Sequence, residues 1–333
     1  MTLSFVIPAY NAEPYIQRCL KSIMPLLSKD TEAIVVNDGS TDLTPSIVQS
    51  LSNANPHIHL VNQTNQGQSV ARNVGLSHAQ GDYIWFVDSD DYIDTQQTKP
   101  VIEALSTNEY DLIVLGRLDE NEQGCKQTQR LWKGTYPTAC NYFRDSIRKG
   151  AYRTQPWDKI VKRNILVEHQ ILFEPHRMFE DMLHGLRIML HAQKTLLLPL
   201  YPYHYLLCNP NSLTRQVRIN DLDAIFFTDK AARLLNEGHY PLRATDGAFL
   251  TLVFTFLSSC LLKKYIPLTT SNTEAQKMVD AVMTNPLFLH AAQSCATHRV
   301  GMSRTLLAQL ICLSPSLYQS LIRITLRLFT SCT

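Results

Sequence analysis

Three carboxylates crowd the end of one apolar run: Asp88-Ser89-Asp90-Asp91 directly follows Tyr83-Ile84-Trp85-Phe86-Val87. A run of that composition is expected to form a buried strand. Ionised carboxylates held away from water are costly unless something pairs with them. Acids at a buried strand's end therefore call for a cation. Hard oxygen ligands suit Mg²⁺ or Mn²⁺, ions that keep coordination positions open for phosphate oxygens. The chemistry indicated is metal-assisted handling of a phosphorylated substrate. The competing reading of the same four residues is a solvated acidic turn.

A second acidic pair, Glu180-Asp181, stands at the head of an apolar-periodic segment, Phe179–His191. A helix N-terminus favours an ionised carboxylate, the state a general base requires; alternatively the two acids only stabilise the helix. Arg72 lies about one turn into the helix that follows Asn65-Gln66-Gly67. Its guanidinium can hold Asp88 or a phosphate, and the bland alternative is a surface arginine. Asp38, in Asn37-Asp38-Gly39-Ser40-Thr41-Asp42, ends another strand and can accept a hydrogen bond from a uracil N–H, with Ser40 or Asp42 left to cap the next helix. In Ile7-Pro8-Ala9-Tyr10-Asn11, Pro8 is expected to stop a strand ladder, and Tyr10 can offer a flat face to a base.

The elements that must position these residues alternate. Strand-like runs fall at Leu3–Pro8, Ala33–Asn37, Ile58–Asn62, Tyr83–Val87 and Leu112–Leu115, with helical patterns at Pro14–Leu27, Thr44–Leu51, Ser69–His78 and Gln96–Leu105. Alternation of this kind predicts an α/β fold, a Rossmann-like, mostly parallel sheet with helices on both faces. Such sheets bind ligands at the carboxyl ends of their strands, and the polar clusters lie there. Residues Asn121 to Gln155 show no strong period and read as a linker or flap. From Trp157 onward helices dominate, with short strands at Leu196–Leu198 and Tyr203–Leu207 and helices at Asp221–Asn236 and Phe249–Leu262. The expected organisation is a domain over 1–215, divided into a half with the strand-end polar clusters (1–118) and a second half (119–215), followed by a helical region over 216–333 with a basic tail.

Composition narrows the class. The 333 residues are 45% hydrophobic and 18% charged, as in a globular chain. A formal net charge of +2 gives no reason to invoke nucleic acid. The eight cysteines form no CxxC pair and read as reduced thiols, and a strand pattern from Leu3 with no basic leader points to the cytoplasm. Gly247–Leu262 is uncharged but short for a bilayer span, so a buried helix is expected. After Asp280 no acid remains, while Arg299, Arg304, Arg323 and Arg327 do, among leucines. That asymmetry predicts either a peripheral membrane contact through residues 299–333 or a basic helix packed on its own domain.

Taken together, the four N-terminal motifs resemble glycosyltransferase family 2 in order and spacing, over about Leu3 to Ile93. The resemblance implies a GT-A fold that binds a nucleotide-sugar, most often a uridine one, with Mn²⁺ or Mg²⁺ on a DxD motif. It implies that Pro8, Tyr10 and Asp38 hold the base, that Asn65 and Arg72 support the donor site, that Asp88 sits near ribose and metal, and that Asp90 ligates the metal. Phe179-Glu180-Asp181-Met182 resembles the family's Glu-Asp pair, which implies Asp181 as catalytic base with Glu180 beside it. Pro156-Trp157-Asp158-Lys159-Ile160 resembles a segment beside the sugar, where Trp157 can stack on a pyranose; the alternative is a core tryptophan. Tyr203-His204-Tyr205 through Arg215 resembles a segment near the pyrophosphate, but Leu206 and Leu207 replace the usual arginine. His204 or Arg215 can serve instead, and His204 can complete the metal shell or be an ordinary core histidine.

The expected reaction is inverting transfer of a hexosyl or N-acetylhexosaminyl group to a hydroxyl of a glycan or lipid-linked acceptor, in bacterial surface polysaccharide synthesis. Two other classes compete. A sugar-phosphate nucleotidyltransferase would want a glycine-rich first turn, which Pro8-Ala9-Tyr10-Asn11 lacks. A non-catalytic nucleotide-sugar binding protein would lack the DxD acids or the base, and both are present.

Overall fold

The computed structural model describes residues 2–121, 123–127, 131–207, 219–262, 265–266, 273–298, 300–315 and 318. Two compact units emerge: Met1–Tyr142 with Arg153–His176 and Glu180–Arg215, and Phe143–Tyr152 with Arg177–Phe179 and Gln216–Thr333.

The first unit opens with β1 (Leu3–Ala9), α1 (Ile16–Ile23), β2 (Thr31–Asp38), α2 (Thr44–Ala54), β3 (Ile58–Gln63), α3 (Gln68–His78) and β4 (Tyr83–Phe86). It continues through β5 (Tyr92–Ile93), α4 (Thr95–Ser106), β6 (Leu112–Val114), β7 (Arg117–Asn121), β8 (Gly124–Gln127) and β9 (Gly134–Tyr136). After α5 (Ala139–Arg148), which crosses the boundary of the units, come β10 (Lys159–Lys162), α6 (Arg163–Glu168), α7 (Glu180–His191), β11 (Thr195–Leu197) and β12 (Tyr203–Leu206). The segment expected to be an irregular linker or flap thus holds β8, β9 and α5.

Eight strands form the main sheet, in the order β3-β2-β1-β4-β10-β6-β11-β9. Strands β1 to β4 are parallel, as are β6 and β11, while β10 runs antiparallel between β4 and β6. Alternation along β1 shows why both faces are covered. Leu3, Phe5, Ile7 and Ala9 join Ile16, Cys19, Leu20 and Ile23 of α1 in one apolar cluster. Burying each large apolar side chain there contributes about 1.5–3 kcal/mol. Val6 and Val36 point to the opposite face, toward α3, where a Cβ on Gly75 would lie 2.4 Å from Val6 Cγ1. Only glycine lets α3 lie that close.

Pro8 stands inside β1, paired in register with Val36, so it does not stop the ladder with β2. The ladder it borders is the other one. Val87 N–H donates to the Val6 carbonyl, so the even residues of β1 direct their backbone groups toward β4. That pairing ends at Val6, and a proline two residues later leaves no donor unmatched.

A smaller four-stranded sheet has the order β5-β12-β7-β8. Its β5 begins one residue after Asp91, which ties this sheet to the acidic turn.

The second unit is helical: α8 (Asp223–Glu237), α9 (Gly247–Leu257) continuing as a π-turn over Ser258–Leu262, α10 (Thr273–Met283), α11 (Pro286–Thr297) and α12 (Met302–Leu313). Asp246 caps α9 by accepting from Ala248 N–H, and Asn285 caps α11 by accepting from Phe288 N–H. Phe254 and Phe288 stack at 5.8 Å between ring centroids. As expected, the uncharged stretch is a buried helix, with Phe249, Val253, Phe254 and Leu257 all inside. Among the described residues no helix is long and apolar enough to cross a membrane. On α12, Ala308 and Ile311 are buried while Met302, Leu306 and Leu313 are exposed. Arg299, Arg323 and Arg327 lie outside the described residues.

Candidate active site

The acidic turn is closed by its own backbone, with Asp91 N–H donating to the Asp88 carbonyl at 3.1 Å. Its three carboxylates are not equivalent. Asp91 is fully buried, accepting from Tyr203 Oη at 2.6 Å and from Leu206 N–H at 2.8 Å. Burial, and then Asp90 and Asp88, push its pKa well up. Asp91 therefore anchors the turn to β12 and is not available to a cation. Tyr203 Oη also accepts from Asp88 N–H at 3.1 Å, so one hydroxyl pins both ends of the turn. Asp88 and Asp90 remain partly exposed. They supply hard oxygen donors at a strand end, a set that fits Mg²⁺ or Mn²⁺. Beneath them lies the buried Cys19 thiol, 3.8 Å from the Asp88 carbonyl. Burial and the three aspartates hold that thiol far above its ordinary pKa.

Arg72 joins this turn to the second acidic pair. Its side chain is 4% exposed; one terminal nitrogen donates to Asp88 Oδ1 at 2.8 Å and the other to Glu180 Oε1 at 2.9 Å. Gln68 donates to the same Glu180 oxygen at 2.8 Å. Burial pushes Glu180 up to about 7, against the pull of Arg72. Arg72 also lies over the Phe173 ring, 5.1 Å from its centroid, with His184 stacked on Phe173 at 3.7 Å. Burial and then Arg72 hold the His184 pKa well below its usual value, so it is neutral beside the guanidinium. Buried ion pairs of this kind add little net stability when intact, but removing one partner costs about 3–5 kcal/mol.

Asp181 differs from its neighbour. Its partner is a neutral hydroxyl, Thr154 Oγ1, which donates to Oδ2 at 2.9 Å. Burial raises its pKa, and the hydrogen bond from Thr154 opposes that rise. A carboxylate more basic than usual, and not tied up by a cation of the protein, is suited to accept a proton. Phe179, two residues earlier, has φ +64°, a conformation costly for a bulky side chain.

At the ends of β1 to β3 the expected donor residues fall together. Tyr10 is 51% exposed, so its ring face is accessible. Asp38 is buried, with Oδ1 accepting from Gln63 Nε2 and Gln66 N–H at 2.7 and 2.8 Å, and Oδ2 from Gly67 N–H at 2.8 Å. It sets the shape of the Asn65–Gly67 turn. Gly39, at φ +71°, makes room for the same turn, since a Cβ there would lie 2.7 Å from Asn65 N. Asn11 and Ser40–Thr41 lock together through Asn11 N–H to Ser40 Oγ at 3.0 Å and Thr41 N–H to Asn11 Oδ1 at 2.9 Å. Asp42 accepts from Thr44 N–H at 3.0 Å, the capping task expected of it or of Ser40.

Two expectations need correction. Trp157, placed beside the sugar, is 3% exposed and stacked on Tyr203 at 4.8 Å and Tyr205 at 5.7 Å, with Arg117 4.9 Å from its ring centroid. It is a core ring with no open face for a pyranose. His204, offered as a third metal ligand beside Asp88 and Asp90, belongs to the smaller sheet. Its Nδ1 lies near Glu120 and Cys125, and its ring stacks on Tyr92 at 4.3 Å. Arg215, the other candidate for the phosphates, lies outside the described residues. Sequence reasoning missed Thr154, which sits in a stretch without period, and Gln68, an ordinary first-turn residue. Arg18 was missed as well; it reaches 72 positions along the chain to donate to the Asp90 carbonyl.

Residues 4–165 match the profile of Glycosyl transferase family 2. The glycosyltransferase GlyA of Streptococcus pneumoniae is 30% identical over 213 residues, covering 61% of this chain but 30% of its own. EpsJ of Bacillus subtilis, a glycosyltransferase, is 28% identical over 247 residues, covering 72% of this chain and 71% of its own. TarS of Staphylococcus aureus, a poly(ribitol-phosphate) beta-N-acetylglucosaminyltransferase, is 30% identical over 62% of this chain and 35% of its own. This chain thus spans about a third of GlyA and TarS. The crystal structure of TarS 1–349 in complex with UDP-GlcNAc superposes with a TM-score of 0.75 at 23% identity, covering 98% of this chain and 92% of that one. With a GT-A fold and the paired acids at its sheet rim, residues 4–165 of the chain form a glycosyl transferase family 2 domain.

Proposed function

We propose that the protein transfers a hexosyl or N-acetylhexosaminyl group from a nucleotide-sugar, UDP-linked above all, to a hydroxyl of a glycan or lipid-linked acceptor, with inversion, in bacterial surface polysaccharide synthesis. One observation carries the reading: Arg72 bridges Asp88 and Glu180, which brings the donor-side acids and the helix bearing Asp181 into a single charged network.

Pro8, Tyr10, Asp38 and Asn65 line the base end, with Tyr10 offering its ring and Asp38 holding the turn rigid. Asp88 and Asp90 would hold Mg²⁺ or Mn²⁺, which when bound offsets the charge of the departing diphosphate. Asp181 accepts the proton of the acceptor hydroxyl as that oxygen forms its bond to the sugar C1. The C1–O bond to the diphosphate breaks on the opposite face, so an α-linked donor yields a β-linked product. Thr154 orients the Asp181 carboxylate, and Glu180 keeps Arg72 in place. TarS is crystallised with UDP-GlcNAc, and relatives named poly(ribitol-phosphate) glycosyltransferases support a phosphate-rich surface polymer or its lipid-linked precursor as acceptor. The acid-free C-terminal stretch, with Arg304 and the exposed Met302 and Leu306, suits a contact with the inner face of the cell membrane.

A panel of nucleotide-sugars with Mn²⁺ tests this. The expected result is release of nucleoside diphosphate from one uridine donor and a product of inverted anomeric configuration by NMR. Retained configuration would remove Asp181 as base. Pyrophosphate release from a nucleoside triphosphate would indicate a nucleotidyltransferase, and binding without sugar release a non-catalytic module.

A further inference from the structure

Glu120, Cys125 and His204 sit on one face of the smaller sheet. Glu120 and Cys125 are cross-strand partners on β7 and β8. Glu120 is also in register with Leu206 of β12, and His204, two residues before Leu206, shares its face. Their ligand atoms form a near-equilateral triangle: Cys125 Sγ to Glu120 Oε2 3.8 Å, Cys125 Sγ to His204 Nδ1 3.7 Å, His204 Nδ1 to Glu120 Oε2 3.7 Å. Tetrahedral zinc, with bonds of about 2.0–2.3 Å to oxygen, nitrogen and sulfur, sets edges of about 3.3–3.6 Å between such ligands. A few tenths of an ångström separate the observed triangle from that figure, and Cys125 is exposed and able to close it.

The surroundings are those of a braced ligand set. Tyr92 Oη donates to Glu120 Oε2 at 2.6 Å, and the Tyr92 ring stacks on His204, so both ligands are oriented by the same residue. The donor types differ in kind from the carboxylates at the end of β4. Thiolate and imidazole select borderline-soft ions, whereas Asp88 and Asp90 offer hard oxygens only. We propose that Glu120, Cys125 and His204 bind a borderline-soft divalent cation, Zn²⁺ above all, with a fourth position open to solvent. The ion clips the β7–β8 hairpin to β12. Because β5 follows Asp91 directly, and Arg18 reaches both Glu120 and the Asp90 carbonyl, the clip also steadies the acidic turn.

The test uses the full chain, stripped of metal by a chelator and titrated with Co²⁺ alone, then with Zn²⁺ as competitor. A near-ultraviolet sulfur-to-cobalt charge-transfer band is expected, saturating at about one equivalent and bleached by Zn²⁺. The band should be absent from Cys125→Ser and the Co²⁺ affinity at least about tenfold weaker in His204→Ala. It should persist in an Asp88→Asn/Asp90→Asn chain, which separates this site from the donor-side acids. Should His204→Ala fail to fold, Glu120→Gln, at a partly exposed side chain, gives the same comparison. No thiolate band in the parent chain, or a band unchanged in Cys125→Ser, would overturn the proposal.

Discussion

The two acidic regions at the rim of the main sheet are built on the same plan and fastened differently. At the end of β4, Asp91 is committed to the protein while Asp88 and Asp90 face outward. At the start of α7, Glu180 is committed and Asp181, the proposed base, is held by a neutral hydroxyl. Asp91 is held by neutral donors, the Tyr203 hydroxyl and the Leu206 N–H. Glu180 is held by a buried cation, Arg72, which also takes one oxygen of Asp88. The neutral fastening fixes one turn; the charged one couples two places far apart in the chain. An acid at a catalytic rim can therefore be structural, and its partner reveals which.

That contrast yields an ordered set of tests. Asp181→Asn should lower kcat by about 10²–10⁴-fold with little change in donor affinity, as expected when only a proton-accepting group is lost; steady-state kinetics beside donor titration would show the split. Arg72→Met should cost about 3–5 kcal/mol of stability, because Glu180 loses its buried cation; chemical denaturation measures this, and a loss confined to kcat would argue against a shared network. Tyr203→Phe should cost less, about 1–3 kcal/mol, since Asp91 keeps the Leu206 N–H but loses a buried donor. Thr154→Val should move only a pH profile. A base must be ionised, so under the proposed role kcat falls as pH drops through the Asp181 pKa, which burial has raised. Removing the hydroxyl that lowers that pKa should shift the acid limb to higher pH; a shift to lower pH would place the limb on another group.

The same contrast marks what was legible beforehand. Strands β1, β2 and β4 carry continuous apolar stretches, and α3 and α7 carry helical periods, so the motifs at their ends could be placed. Asp88, Asp90, Arg72 and the acid pair were visible because several polar residues at strand ends reinforce one another. By contrast, β10 reads Lys159-Ile160-Val161-Lys162, two apolar residues flanked by lysines. Lys159 is 1% exposed, and its charge is met by Asp158 and by the carbonyls of Arg153 and Gln155, none of which a periodicity argument weighs. The β7–β8 hairpin alternates polar residues on a sheet that is largely solvated, so no apolar signal announced it. Trp157 was misplaced because an aromatic near a sugar-site motif and an aromatic in a core look identical until its stacking partners are known.

Cys19 carries a practical consequence. Sealed below the Asp88 carbonyl and held protonated by burial and the aspartates above it, this sulfhydryl should ignore alkylating reagents while the roof stays shut. In a variant with its exposed thiols replaced by serine, the pace at which Cys19 is modified becomes a clock for opening of the acidic turn. Donor and metal ought to slow that clock.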